Sequence, residues 1–188
     1  YCNGACVFWF PAASSKLAAE WKRIGFIDKM PLPNWTDEPE LVNNFVRMLE
    51  ATPHVQYLHF IGGETLITPA FRTILEALVR TGLNRTATIG FTTNLISWDQ
   101  NVVDLLAEFA GVNFGMSIEA FDPINDYVRW PIKFEDFERN LRAYQQMGVD
   151  INTWTTVSAL NIGDVDRVSF VFDVPHRVKH PNNSRNFI

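Results

Sequence analysis

Three features of this chain set the expectation of an α/β domain built on a parallel sheet. Runs rich in β-branched and aromatic residues recur at 55–61, 86–92, 112–118 and 150–157. Each leads through a glycine or polar turn into a segment whose apolar residues repeat at helical spacing. Helices of that length between strands carry the chain back across the sheet and cover it, which favours parallel pairing. With 188 residues and 47% hydrophobic content, residues 1–188 are expected to form one core, a single domain or a large piece of one.

Ser14-Ser15 precede Leu17, Ala18, Trp21 and Ile24, a short helix with one apolar face that Gly25 stops. Cys2 and Cys6 therefore fall in the loop ahead of it. Residues 26–36 hold two prolines and no period, and read as a connection. Asp37 is the expected N-cap of a second helix, with Glu40 closing a capping box and Leu41, Phe45, Met48 and Leu49 on the buried side. The run 55–61 reads as a strand covered on both faces, His59 packed within it, ended by Gly62-Gly63.

Thr68 and Pro69 then start a helix whose inward stripe is Phe71, Ile74, Leu75 and Leu78. The order returns as strand 86–92, a turn at Thr93-Asn94, and a helix from Ser97 with Gln100 completing a capping box and Leu105, Leu106 and Phe109 on its apolar side. It returns again as strand 112–118, a loop carrying Glu119 and Arg129, and a helix over 134–147 that buries Phe134, Phe137, Leu141 and Tyr144 before Gly148. Strand 150–157 leads to a helix capped by Asn161 and Asp164, carrying Val165, Val168 and Phe172 and stopped by Pro175. Residues 175–188 are expected to be the end of the fragment or a disordered tail, and the chain reads as truncated at both ends.

The formal charge of −5 argues against a broad nucleic-acid surface, and no apolar run is long enough to span a bilayer. Two cysteines are too few for a stapled secreted scaffold, so a reducing, cytoplasmic setting is expected. The sequence therefore reads as soluble, with no nucleic-acid or membrane partner.

Parallel strands bring the residues just beyond their C-terminal ends to one rim. The rim candidates are Glu64, Thr93, Asn94, Glu119 and Ser158. Cys2 and Cys6 are spaced to converge on iron or another soft metal, to form a redox pair, or to serve structure alone. Gly62 and Gly63 allow close backbone approach, and Glu64 can accept hydrogen bonds from a ligand ammonium or sit at a plain tight turn. Thr93 and Asn94 can hold ligand polar groups or satisfy turn amides. Beside Ser117, Glu119 can grasp ribose hydroxyls while Arg129 recognises a carboxylate, or the two can form an ion pair. Ser158 and Asn161 can add local hydrogen bonds. The four histidines have no compact metal spacing, and the tryptophans form no stacking series for nucleic acid.

Taken in order, Cys2-Asn-Gly-Ala-Cys6, Ser14-Ser15, Leu58-His-Phe-Ile-Gly-Gly-Glu64, Thr92-Thr93-Asn94, Ser117-Ile-Glu119, Arg129 and Thr156-Val-Ser158-Ala-Leu-Asn161 resemble the radical S-adenosylmethionine enzymes. The likeness is greatest to their Twitch/SPASM-like or peptide-maturase branch. It implies an incomplete parallel β/α barrel, a partial TIM-like core. It also implies a [4Fe-4S] cluster and S-adenosylmethionine as cofactors, with Cys2 and Cys6 as the first two cluster ligands. Gly62, Gly63 and Glu64 would place the methionine amino group. Ser117, Glu119 and Arg129 would surround ribose or carboxylate atoms, with Thr93, Asn94, Ser158 and Asn161 as further cofactor contacts. An electron donor and a peptide, protein or small-molecule substrate would be the partners.

The third cluster ligand of that pattern falls on Trp9. An indole is not a normal substitute for a thiolate, and the chain has no further cysteine for this or any auxiliary cluster. The resemblance thus implies either an oxidoreductase or maturase that initiates hydrogen abstraction from the cluster, or a catalytically inactive binding or interaction domain on the same fold. An unrelated α/β metabolite-binding domain with a coincidental cysteine pair is the third reading.

Overall fold

The computed structural model describes residues 2–30 and 34–172. Four strands, β1 (Tyr57–Phe60), β2 (Thr88–Thr93), β3 (Gly111–Ser117) and β4 (Asp150–Trp154), form one parallel sheet in the order β1-β2-β3-β4. Around it lie α1 (Ser15–Arg23), α2 (Pro39–Glu50), α3 (Pro69–Thr81), α4 (Gln100–Ala107), α5 (Ile124–Val128), α6 (Phe134–Gln146) and α7 (Val165–Phe172). Sequential, all-parallel strands joined through helices are the architecture of an open, incomplete β/α barrel, as the alternating pattern required.

Strand alternation sorts the sheet into two unlike faces. Ile89, Phe91, Phe114 and Met116 point to the helices and are buried with Phe71, Ile74, Leu75 and Leu78 of α3, Leu106 of α4 and Tyr144 of α6. Aromatic rings run through this layer from Phe60 to Phe71, Phe91, Phe114 and Tyr144, with successive centroids 5.2–5.5 Å apart. Contacts at that spacing add about 0.5–1.5 kcal/mol each beyond area burial. The opposite face is glycine-rich and polar: Gly90 lies beneath Tyr57 and His59, and Gly115 beneath the indole of Trp154.

That second face corrects the reading of β1. It is not covered on both sides, because Tyr57 and His59 are exposed on the open interior of the barrel, where Tyr57 Oη and His59 Nδ1 are 2.9 Å apart. On α2 the buried stripe is Val42, Val46 and Leu49, while Leu41 and Met48 face solvent. Two apolar stripes overlap on this helix, and packing against α3 selects one of them. Asp37 is not the N-cap of α2: it belongs to a short 3-10 turn (Trp35–Asp37), and Glu38 holds the cap position with Pro39 at N1.

Ser97 does not cap α4 either. Asp99 does, accepting from the Asn101 amide, and Gln100 turns to Asp104. On α1, Ser14 caps as expected and Leu17 and Ala18 are buried, but Ile24 lies out in solvent. β4 ends at Trp154, short of residue 157, where the chain turns to make side-chain contacts with the tip of β3. Val168 of α7 is buried. The side chain of Phe172, Pro175 and the tail 175–188 lie outside the described residues. Among the described residues no helix is long and apolar enough to cross a membrane.

Candidate functional site

Beyond β1 the chain turns at Gly62, whose φ of +116° is a conformation that side-chain-bearing residues rarely adopt, and this turn drops Glu64 into the protein. Glu64 is 1% exposed. Its Oε1 accepts from the Thr93 hydroxyl at 2.6 Å and the Leu66 amide at 3.2 Å, and its Oε2 accepts from the Asn94 amide at 2.7 Å. A carboxylate has about four lone-pair positions. Among the described residues three donors therefore leave one free, on Oε2. Burial raises the pKa of Glu64, opposed by the Asn94, Thr93 and Leu66 donors and by the charge of Arg129.

The β2 tip carries that contact onward. Asn94 accepts from the Ile96 amide and donates from Nδ2 to Asn3 Oδ1 at 2.6 Å, and Asn3 donates to Ser97 Oγ at 3.2 Å. Ser97, predicted as a cap, is thus spent on the cysteine loop. On the other side that loop is held by backbone bonds from Ala5 to Trp130 and from Val7 to Val128. Ser14 Oγ, besides capping α1, donates to the Gly4 carbonyl at 2.6 Å.

The β3 tip supplies a charged pair. Glu119 and Arg129 are both buried and bonded at 2.6 Å. The Asn125 side chain on α5 accepts from the Glu119 amide, and Asn161 Nδ2 donates to the Glu119 and Thr156 carbonyls. Asn161 is therefore a latch between the β3 and β4 tips rather than a cap of α7, and Ser158 donates to it from both amide and hydroxyl. Ser117 ends β3 half-buried on the face opposite Met116. Arg129 Nε is buried without a hydrogen-bond partner among the described residues. Burial works to lower the Arg129 pKa, but Glu119 beside it, with Cys6 and Glu64 further off, raises it overall.

Cys2 and Cys6 are free thiols turned toward one glycine: a methyl group built on Gly4 would lie 3.1 Å from the Cys6 sulfur and 3.9 Å from that of Cys2. Cys6 is buried, and desolvation raises its pKa against the pull of Arg129. Trp9 is 50% exposed, its amide bonded to the Cys6 carbonyl. Among the described residues no three His, Cys, Asp or Glu side chains are placed to hold a metal ion. Two thiolates and an indole do not fit a [4Fe-4S] cluster, whose irons are held by cysteine thiolates.

The predicted rim residues thus converge. Glu64, Thr93 and Asn94 form one cluster, Glu119, Arg129, Ser158 and Asn161 another, and the cysteine loop bridges them. Asn3, Ser97, Asn125 and Asn140 belong to this rim and were not among its predicted residues. Asn140 carried a signal: it is a polar residue on the stripe of Phe137, Leu141 and Tyr144, and its Nδ2 donates to the Leu95 carbonyl at 2.8 Å.

A parallel β/α sheet with a cysteine loop, a buried acid after β1 and an acid–arginine pair after β3 defines an open β/α-barrel core with a charged rim. The radical SAM superfamily model matches residues 1–170, and the chain belongs to that family. No curated protein sequence matches it. Among solved structures it is similar to Streptococcus suis SuiB, with a TM-score of 0.57 and 16% identity over 90% of this chain and 34% of that one. The same shares and identity hold for SuiB bound to the precursor peptide SuiA, at a TM-score of 0.57. For SuiB bound to S-adenosylmethionine the TM-score is 0.53 and the identity 17%. The chain spans about a third of the length of these proteins, and at such identity the likeness is one of fold.

Proposed function

We propose that this rim binds S-adenosylmethionine within a radical SAM core of the Twitch/SPASM-like, peptide-modifying branch, and that it does so without a complete iron–sulfur cluster. The observation that carries the reading is that two buried groups of opposite charge on one rim, Glu64 and Arg129, each have hydrogen-bonding capacity left over. Among the described residues Glu64 keeps one acceptor position free, and Arg129 keeps an unpartnered Nε. Such a pair complements the ammonium and carboxylate of an amino-acid ligand. Family membership and the S-adenosylmethionine-bound structural neighbour support the choice of ligand. Thr93 and Asn94 set the wall beside Glu64, while Ser158 and Asn161 set the wall beside Glu119. A peptide is the proposed substrate class, because a structural neighbour holds a precursor peptide. Free thiols accord with a cytoplasmic location.

The test is equilibrium dialysis of radiolabelled S-adenosylmethionine against iron-free protein. One saturable site per chain is expected, weakened roughly tenfold by Arg129→Lys, which keeps the charge and loses the fork of donors. Absence of saturable binding to the wild type would end the proposal.

A hydrogen-abstracting oxidoreductase or maturase is the second reading, favoured by the two sulfurs facing Gly4. Iron analysis after anaerobic reconstitution separates the two. The first reading expects iron well below one cluster per chain in the wild type and a clear gain in Trp9→Cys. A full cluster in the wild type selects the second.

A further inference from the structure

We infer that Glu64 is a positioning residue for the cysteine loop, a role that goes beyond any ligand it accepts at the rim. The linkage is a continuous run of short hydrogen bonds. Glu64 holds the Asn94 amide at 2.7 Å, Asn94 holds Asn3 at 2.6 Å, and Asn3 sits between Cys2 and Cys6. Thr93 completes the grip: its hydroxyl accepts from the Leu95 amide at 2.9 Å, so its proton is directed to Glu64. The carboxylate at the β1 tip therefore fixes the β2 tip, and the β2 tip fixes one side of the loop.

The other side of the loop is anchored independently, through the Val128 and Trp130 carbonyls. The Asn3 side is tied to Glu64 through Asn94, with further bonds from Asn3 to Ser97, from Ser14 to Gly4 and from Cys2 to Ser15. The geometry requires two acceptor oxygens here. The Asn94, Thr93 and Leu66 groups all donate into the carboxylate, so an amide in its place keeps one acceptor oxygen and turns a donor toward one of them. Glu64→Gln severs at least one strand of the linkage while leaving the shape of the side chain unchanged.

Alkylation of Cys6 by iodoacetamide in the ligand-free, metal-free chain, followed by peptide mass spectrometry, reads the Asn3 side of the loop, because Gly4, next to Asn3, packs on the Cys6 sulfur and Cys6 is 3% exposed. Glu64→Gln is expected to speed Cys6 labelling roughly tenfold, the factor for one charge-assisted hydrogen bond. Asn3→Ala is expected to speed it by a similar factor, and the double variant no further, since both break one link. Amide exchange at Phe91 and Phe114 in the sheet stays at the wild-type rate. Three results would overturn the role: Cys6 labelling unchanged in Glu64→Gln, multiplied effects in the double variant, or sheet exchange accelerating in step with Cys6. Should Glu64→Gln fail to fold, Asn94→Ala cuts the same link beyond the buried acid, and unchanged labelling there rejects the inference. No cofactor enters the experiment, so its outcome is separate from that of S-adenosylmethionine binding.

Discussion

Arg129 donates from Nη1 to Glu119 Oε2 across 2.6 Å, with only 7% and 5% of the two side chains exposed. At that depth the pair is weak evidence for net stability, but removing one partner leaves the other charge buried and uncompensated. Glu119→Gln is therefore expected to lower unfolding free energy by about 3 kcal/mol, measured by urea denaturation. The Lys133–Asp126 pair, whose lysine is exposed, provides the internal control. Lys133→Ala is expected to leave the urea midpoint close to that of the wild type. Equal losses at the two sites would show that the rim pair is as wet as the surface one.

Glu64 predicts a pH dependence of opposite sign to that of a surface carboxylate. Burial raises its pKa above the ordinary 4.5, so the folded state holds the proton more tightly than the unfolded state. Its contribution to stability is complete below 4.5 and is lost as pH rises from there through the raised folded value. Subtracting the stability profile of Glu64→Gln from that of the wild type, from acid to neutral pH, should leave a difference that falls with rising pH. A rising difference would mean that the three donors and Arg129 outweigh burial.

Which parts of this could be read from the letters follows from where the information sits. Helix α3 was fully legible, because Thr68-Pro69 and the stripe of Phe71, Ile74, Leu75 and Leu78 are local signals and all four of those side chains are buried. On α2 the same method picked Leu41 and Met48, which are exposed, because only the neighbouring helix distinguishes its two apolar stripes. At the rim, the strand-end rule brought Glu64, Thr93, Asn94 and Glu119 together, since parallel pairing alone fixes which ends coincide. What it did not supply was the pairing: the Asn94 to Asn3 bond joins residues 91 positions apart, and nothing local encodes it. Ser97 and Asp37 show the converse, as capping residues by type whose cap positions are held by Asp99 and Glu38.

Leu95 offers a backbone test of the rim. It is fully buried at φ +63°, a left-handed conformation that costs a side-chain-bearing residue about 1–2 kcal/mol. Thr93 Oγ1 accepts its amide and Asn140 Nδ2 donates to its carbonyl, so the turn is held at both ends. Asn140→Ala leaves that buried carbonyl without its donor and is expected to cost about 2 kcal/mol. The loss should appear as a lowered urea midpoint with unchanged slope. A wild-type midpoint would show that the turn holds itself.

Cys6 and Cys2 differ enough in environment to be told apart by chemistry. Burial raises the Cys6 pKa above the ordinary 9.0, with Arg129 only partly opposing it, while Cys2 stands half-buried at the loop edge. The thiolate is the reactive form, so at pH 8 native Cys6 should alkylate far more slowly than Cys2, with the gap closing in urea. The same shift has a stability consequence. A thiol held neutral by the fold stabilises the protein below the ordinary thiol range, and that stabilisation drains away as pH climbs through 9.0 toward the folded value. Cys6→Ser should flatten this alkaline decline relative to wild type. A variant that declines as steeply would place the source elsewhere, and native labelling of Cys6 as fast as Cys2 would mean that Arg129 outweighs burial at the thiol.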